Sequence, residues 1–232
     1  GGGDGTLSSV ASLVVGSETA LGVLPLGTLN HFAKDLGMPL DLADAVAVLA
    51  RGKQSEVDVG EVNGRMFLNN SSLGIYPDIV RDRTRQQRRL GRGKRWALVW
   101  ATITALRRSA FLHLRITVDG RERIARTPFI FIGNNAYVME GFEIGKREGL
   151  QDGKLSIYFT RRCTRLGLVG LGLRALFGRL TQAHDFEALL AAEVSVETRH
   201  SRLPVSADGE VFASNSPFEY RIRPRALKVV VP

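Results

Sequence analysis

The sequence has little cysteine, no long apolar run and neither of two common nucleotide-binding fingerprints. The single Cys163 among 232 residues excludes an internal disulfide and fits a reducing cytoplasm. The apolar stretch at residues 166–180 contains Arg174 and is shorter than the roughly 20 residues that span a bilayer. No Gly-Lys-Ser/Thr closes a glycine loop, and no Gly-x-Gly-x-x-Gly occurs. These gaps exclude a Walker A motif and the dinucleotide fingerprint.

The composition is ordinary for a globular protein, with 44% hydrophobic and 24% charged residues. A chain of this length can bury a good core as one or two domains. No internal repeat or low-complexity tract appears. The histidines show no metal-ligand or triad spacing: His31, His113, His184 and His200. Chemistry in this chain must therefore depend on other features, chiefly glycine loops and carboxylates.

Two glycine-rich loops near the start of the chain carry the strongest signal. The first, residues 1–6, leads into a predicted helix over residues 6–15, and Gly27-Thr28 opens a second predicted helix after a short buried strand at 21–24. Glycine lets the backbone approach a phosphate closely, and helix N-termini favour anions. Ordinary tight turns are the alternative, but the pairing of the loops favours a phosphate cradle. Its predicted members are Gly2, Gly3, Asp4, Gly5, Thr6, Leu7, Ser8 and Thr28.

The pattern of predicted elements changes near residue 53. Residues 1–53 alternate helix and strand, including an amphipathic helix at 42–49, which is typical of an α/β domain. Residues 54–232 contain many short strands, with hairpin turns predicted at Asn63-Gly64 and Asp119-Gly120. This part predicts a mostly antiparallel β-sandwich with helical insertions at 75–109 and 166–180. The predicted strands cover residues 55–62, 65–70, 112–118, 122–126, 129–132, 154–159, 192–198, 203–206, 218–222 and 227–231.

Basic charge is concentrated in one stretch. The net charge is +9 and the isoelectric point is near 10.3, and residues 81–95 carry much of this charge directly before Trp96 and Trp100. Basic residues beside tryptophan predict contact with an anionic membrane surface. A solvated helical face with buried tryptophans is the alternative, and no nucleic-acid-binding module accompanies the charge. The glycine-leucine stretch at 166–180 either packs on the sandwich or forms a lid over an acyl chain.

Two further motifs carry carboxylates. Asp208-Gly209-Glu210 places an acid on each side of a tight-turn glycine, so both can face one cleft from a hairpin tip. An exposed turn without chemistry is the alternative. In the segment 149–154, Asp152 and the carbonyl groups of Gly149 and Lys154 offer the oxygen ligands that Mg²⁺ prefers, although a plain turn fits equally.

Three of these motifs together resemble the diacylglycerol kinase catalytic family. They are Gly1-Gly2-Gly3-Asp4-Gly5-Thr6, the run Leu24-Pro25-Leu26-Gly27-Thr28-Leu29-Asn30-His31-Phe32-Ala33, and Asp208-Gly209-Glu210. The family includes bacterial lipid kinases, sphingosine kinases and ceramide kinases, with NAD kinases as distant relatives. The resemblance covers nearly the whole chain. It implies that a strand-helix-strand segment precedes residue 1 and that residues 1–53 are the remainder of the nucleotide-binding domain.

The resemblance also implies roles for particular residues. The turn at 208–210 would carry the acceptor of the lipid hydroxyl proton, either Asp208 or Glu210, with its acidic neighbour close to the metal. Gly149, Asp152 and Lys154 would hold a structural Mg²⁺, which Asp4 and Asp58 would link to the phosphate site through water. His31 departs from the family pattern, because many members carry Asp at this position.

The sequence therefore predicts a lipid kinase that transfers the γ-phosphoryl group of ATP to a lipid alcohol, with Mg²⁺ as the second cofactor. We expect it to be cytoplasmic and peripherally bound to an anionic membrane. One alternative is a soluble NAD-kinase-like enzyme with a small hydrophilic acceptor. Another is a non-catalytic module that binds lipid or nucleotide, and a homo-oligomer also stays open.

Overall fold

The computed structural model describes residues 1–74, 111–138, 146–147, 149–160 and 186–232. Both predicted helical insertions, and with them the basic stretch, lie outside these residues. The helices are α1 (Asp4–Val14), α2 (His31–Asp35) and α3 (Leu42–Arg51). The strands are β1 (Lys53–Val62), β2 (Arg65–Phe67), β3 (Asn70–Gly74), β4 (Leu112–Val118), β5 (Arg121–Thr127), β6 (Phe129–Asn134), β7 (Tyr137–Val138), β8 (Lys146–Arg147), β9 (Leu155–Phe159), β10 (Glu187–Ala191), β11 (Glu193–Thr198), β12 (Arg202–Ala207), β13 (Glu210–Asn215) and β14 (Phe218–Val231).

Three hairpins form at Asx-Gly pairs, where both turn residues have positive φ. The φ angles are 46° and 84° at Asn63-Gly64, 49° and 72° at Asp119-Gly120, and 47° and 82° at Asp208-Gly209. Two-residue turns of this kind match the twist of antiparallel strands, and Asn, Asp and Gly tolerate the left-handed region best. The hairpins predicted at the first two pairs are confirmed, and the third joins β12 to β13.

Two six-stranded sheets form the body of the molecule. Their strand orders are β2-β1-β14-β11-β4-β5 and β10-β9-β6-β3-β12-β13, and every ladder is antiparallel. Apolar side chains from both sheets, among them Phe67, Ile132, Ile157, Val196 and Tyr220, are buried in one cluster between them. The predicted mostly antiparallel sandwich is confirmed.

A second core lies where α1, α2 and α3 pack on one end of the first sheet. Leu7, Val23 and Phe32 from the helical part meet Val57 of β1 and Leu227 of β14 there. The strands β1 and β14 thus contribute to both cores, and their pairing has a register irregularity between Val57 and Val59. The helices, and any site built on them, are attached to the sandwich through these two strands.

Several elements differ from their predicted form. Residues 21–24 do not make a full strand but form single parallel bridges, Leu21 to Val229 and, next to them, Pro25 to Gly2. The strands predicted at 218–222 and 227–231 are one strand, β14. The polar β3, with the sequence Asn-Ser-Ser-Leu-Gly, lacks the apolar alternation that marks strands, yet it lies at the centre of the second sheet. Among the described helices, none is long and apolar enough to cross a membrane.

Candidate active site

The two glycine-rich loops are in direct contact. Gly2 donates its N–H to the carbonyl of Leu24 at 3.3 Å, and the chain around Gly3 passes against Gly27. A Cβ on Gly27 would lie 2.4 Å from the Cα of Gly3, a distance that no side chain can adopt. The loops therefore meet through bare backbone, which an anion can approach closely, although the N–H groups of Gly2 and Gly27 already hydrogen-bond within the protein.

Asp4 and Asn30 hold the two loops together. Asn30 adopts the left-handed region, accepts the N–H of Gly27 at 2.8 Å and donates to the carbonyl of Pro25 at 3.2 Å. The Asp4 carboxylate accepts the N–H groups of His31 at 3.2 Å and Phe32 at 3.0 Å, so it caps α2. This cap explains why α2 begins at His31, three residues later than Gly27-Thr28 predicted.

The other predicted cradle residues face different surroundings. Thr6 and Thr28 are exposed, whereas the Leu7 side chain is buried in the second core and its N–H donates to the carbonyl of Gly3. Ser8, one turn along α1 from Gly5, is close enough to Asp208 to lower the pKa of its carboxyl. The N-terminal part of α1 thus lies beside the acidic turn at 208–210, although some 200 residues separate them in sequence.

Asp208 is half-buried and surrounded by donors. Its carboxylate accepts three backbone N–H groups, from Leu68 at 2.7 Å, Asn69 at 2.8 Å and Asn70 at 3.1 Å. Burial raises the pKa of the Asp208 carboxyl above its usual range, and these hydrogen bonds oppose the rise. A fixed carboxylate with a raised pKa is a suitable proton acceptor.

Glu210 has a different environment from its neighbour. Its side chain is 52% exposed and pairs with Arg65 at 2.6 Å, and Arg65 in turn stacks on the ring of Phe212 at 4.3 Å. A Cβ on Gly5 would lie 3.5 Å from the Glu210 carboxylate. Glu210 therefore faces the N-terminal turn of α1, and with Asp208 it borders the same region as the glycine loops.

The predicted metal loop is well ordered by hydrogen bonds. Asp152 donates its N–H to Asn135 Oδ1 at 3.1 Å, and the carbonyl of Lys154 accepts the N–H of Asn135 at 3.0 Å. The Asp152 carboxylate turns back over Gly149, where a Cβ would lie 2.9 Å from Oδ1. The loop borders a cavity of about 470 Å³ lined by Asp35, Leu36, Ser55, Val57, Arg147, Gly149, Leu150, Gln151, Asp152 and Val231.

Asp58 is buried beside this loop. Its carboxylate accepts the N–H of Gly153 at 2.7 Å and of Arg225 at 2.8 Å, and its own N–H donates to the carbonyl of Leu150. In the described part of the chain, no three His, Cys, Asp or Glu side chains converge as a metal cluster. Asp58 thus fastens the loop to β14. The Asp4 carboxylate accepts N–H groups of α2 instead, so the carboxylates of Asp4 and Asp58 hydrogen-bond to different backbone segments.

Sequence reasoning missed the polar residues behind Asp208. Arg147 is buried and pairs with Asp35 at 2.7 Å, and it donates to the carbonyl of Leu68 at 2.7 Å. Asn134 donates to the same carbonyl at 2.8 Å, and Tyr137 Oη donates to the carbonyl of Asn69 at 2.9 Å. The run Asn69-Asn70-Ser71-Ser72, four polar residues leading into a central strand, was the available signal.

Family models match nearly the whole chain. The diacylglycerol kinase catalytic domain matches residues 1–62, and the YegS C-terminal NAD kinase beta sandwich-like domain matches residues 76–231. The probable lipid kinase YegS-like of Chromohalobacter salexigens is 30% identical over all of this chain and 75% of its own length. The diacylglycerol kinase of Mycobacterium tuberculosis strain H37Rv is 29% identical with the same coverage.

Solved structures show the same fold. A putative diacylglycerol kinase from Bacillus anthracis superposes with a TM-score of 0.73 at 21% identity, covering 99% of this chain and 75% of that one. Yeast NADH kinase superposes with a TM-score of 0.51 at 14% identity, covering 100% and 60%. The glycine loops and the acidic turn are the motifs expected of the family that these matches identify. This chain belongs to the diacylglycerol kinase catalytic family, together with YegS-like lipid kinases.

Proposed function

We propose that this protein transfers the γ-phosphoryl group of ATP to the hydroxyl of a lipid alcohol such as diacylglycerol, at a membrane surface. The observation that carries the proposal is the approach of the acidic turn to the start of α1, where a Cβ on Gly5 would lie 3.5 Å from the Glu210 carboxylate. This approach brings the N-terminal turn of α1, which suits phosphates, next to the turn that carries Asp208, whose carboxylate suits a hydroxyl proton. Phosphoryl transfer needs these two features side by side.

In the proposed reaction the lipid hydroxyl oxygen forms a bond to the γ-phosphorus while the bond from that phosphorus to the bridging oxygen breaks. ADP leaves with the bridging oxygen, and the hydroxyl proton passes to a carboxylate. Asp208 is the better acceptor of the two acids, because burial raises its pKa and three backbone N–H groups fix its position. Glu210 faces the first turn of α1 and is assigned to the phosphate and metal side.

The cofactors of the proposal are ATP and Mg²⁺. The glycine loops, from Gly2 to Ser8 with Thr28, would bind the ATP phosphates through backbone N–H and hydroxyl groups. Asp152 with the carbonyls of Gly149 and Lys154 fits Mg²⁺ in donor type, since all three are hard oxygen ligands on one loop. Bound there, Mg²⁺ would supply positive charge that stabilises the loop beside the site.

The membrane part of the proposal depends on the basic stretch at 81–95 and the tryptophans that follow it. We assign the protein a cytoplasmic, peripheral location, with the anionic surface as partner. An NAD-kinase-like function is the second candidate, and the superposition on yeast NADH kinase favours it only at the level of the fold. A non-catalytic module stays the third.

Radiolabelled phosphate transfer from ATP tests the proposal with the full-length gene product. Diacylglycerol, ceramide and sphingosine are presented in mixed micelles, and NAD and NADH are presented in solution as competing acceptors. The expected result is a labelled phospholipid and no labelled dinucleotide. Labelled dinucleotide alone would select the second candidate, and ATP binding without transfer to any acceptor would select the third.

A further inference from the structure

A buried guanidinium lies directly behind the acidic turn. The Arg147 side chain is only 1% exposed, and Asp35 at 2.7 Å is its charged partner. Its remaining donors reach backbone and side-chain oxygens, namely the carbonyl of Leu68 at 2.7 Å and Asn69 Oδ1 at 3.2 Å. A cation is rarely removed from water so completely. Its contacts converge on the segment that holds Asp208.

The contacts of Arg147 and of Asp208 fall on the same peptide group. The carbonyl of Leu68 accepts Arg147 Nη1, and the N–H of the same peptide, which belongs to Asn69, donates to Asp208 Oδ1 at 2.8 Å. Asn134 Nδ2 donates to that carbonyl as well, at 2.8 Å. Hydrogen bonds on both ends of one peptide polarise each other and fix its plane. Arg147 therefore acts on Asp208 across a single peptide.

The next peptide repeats the arrangement. The carbonyl of Asn69 accepts Tyr137 Oη at 2.9 Å and the N–H of Asn134 at 2.9 Å, and its N–H partner, on Asn70, donates to Asp208 at 3.1 Å. The ring of Tyr137 also lies 5.8 Å from the guanidinium of Arg147. Two successive peptides are thus held from behind while their N–H groups point at one carboxylate.

The other end of Arg147 reaches the nucleotide side of the site. Asp35 is the last residue of α2, and Asp4, at the start of α1, caps the first residues of that same short helix. A continuous series of contacts therefore links Asp4 to Asp35 through α2. The Asp35–Arg147 ion pair and the peptide between Leu68 and Asn69 continue it to Asp208. The planar fork of arginine can donate to a carboxylate and a carbonyl at once, whereas lysine offers a single nitrogen.

We propose that Arg147 is a positioning residue for phosphoryl transfer, which aligns the peptide between Leu68 and Asn69 with Asp208 and ties it to α2. The catalytic half of this inference rests on the proposed kinase function, whereas the structural half does not. The described contacts of Arg147 reach Asp208 only through the peptide between Leu68 and Asn69, so its removal should slow transfer without weakening the binding of ATP.

The test compares Arg147→Met and Arg147→Lys with the wild type and with Arg221→Met. The control breaks an ion pair with the buried Glu61 in the other sheet, so it tests for a general loss of stability. We expect both Arg147 variants to lower kcat at least tenfold, with KM for ATP within twofold of wild type. Arg147→Lys should recover thermal stability through its charge beside Asp35 but not kcat, because it cannot also hold Leu68.

Amide hydrogen exchange gives a readout that does not need activity. Under native conditions the Asn69 and Asn70 amides should exchange at least tenfold faster in both variants, while the Ile132 and Ile157 amides of the same sheet keep their protection. An equal loss at all four amides, or full kcat in Arg147→Lys, would overturn the positioning role. Should the wild type show no kinase activity, the proposed function fails, and exchange at Asn69 and Asn70 still decides the structural half.

Discussion

At the scale of single residues, the acidic turn gives two neighbouring acids opposite surroundings. Asp208 is half-buried and accepts three backbone N–H groups, whereas Glu210 is exposed and paired with Arg65. From the sequence alone, the two acids are alternative proton acceptors on one hairpin tip. Their different contacts predict that the two acids contribute differently to the stability of the protein and to its activity.

Replacing each acid by its amide should separate the two roles. Asp208→Asn places an amide NH₂ group against N–H donors, so it should lower the free energy of unfolding by about 1–3 kcal/mol and kcat by about 10² to 10⁴. Glu210→Gln loses an exposed pair worth less than about 1 kcal/mol, so its melting temperature should stay near wild type while ATP affinity falls. Thermal unfolding and steady-state kinetics measure both effects, and full kcat in both variants would leave 208–210 as a plain turn.

The contact between the glycine loops leaves less room for a side chain at Gly27 than at Gly3, so substitutions at the two positions should differ in effect. A Cβ on Gly27 would lie 2.4 Å from Gly3 Cα and 2.8 Å from Asn30 Oδ1, whereas a Cβ on Gly3 meets nothing nearer than 3.5 Å. Gly27→Ala should therefore lower the melting temperature by several degrees, and Gly3→Ala should change it little. Differential scanning calorimetry of the two variants checks this, and equal melting temperatures would contradict the observed loop packing.

At the scale of elements, the long strands β1 and β14 connect the helical part to the sandwich. Glu61 of β1 is almost fully buried and pairs with Arg221 at 2.6 Å and with Arg223. Burial alone would raise the pKa of the Glu61 carboxyl, but the hydrogen bonds and charges of the two arginines outweigh burial and hold the pKa below its usual range. The pair thus supports the strands that carry the site.

A depressed carboxyl pKa in the folded state ties stability to pH. The contribution of Glu61 should be complete above its unfolded pKa, near 4.5, and should disappear as the pH falls through the lower folded value. Glu61→Gln should cost about 1.5–3 kcal/mol at neutral pH and less in acid. Urea unfolding at pH 7, 4.5 and 3 measures this, with the exposed Glu197→Gln as control. A penalty for Glu61→Gln that does not change with pH would refute the prediction.

At the scale of the whole molecule, the net charge of +9 directs the protein toward anionic surfaces. Each Lys or Arg near such a surface is worth about 1 kcal/mol. Reversal of Arg85, Arg88 and Arg89 to Glu should therefore strongly weaken co-sedimentation with phosphatidylserine vesicles. Binding by the wild type should fall with added salt, and neutral vesicles provide the matched control. Unchanged sedimentation of the reversed variant would favour a solvated helical face.

The sequence by itself determined the elements that depend on neighbouring residues. The Asx-Gly hairpins, the helix at α3, the antiparallel sandwich and the family follow from local turn chemistry, hydrophobic period and motifs. The central position of β3 in its sheet was not predictable from the sequence, because Asn70-Ser71-Ser72 has no apolar alternation. Only neighbouring strands in the sheet make those polar residues a central strand.

The tertiary structure alone decided which groups surround each acid. Asp208 meets the N–H groups of Leu68, Asn69 and Asn70, which lie about 140 residues earlier in the chain. In the sequence, Arg147 is one basic residue among many. It becomes a buried guanidinium only when α2, the residues before β3, and β6 are brought together around it. Burial and hydrogen bonding depend on contacts between distant segments, and no local pattern in the sequence encodes them.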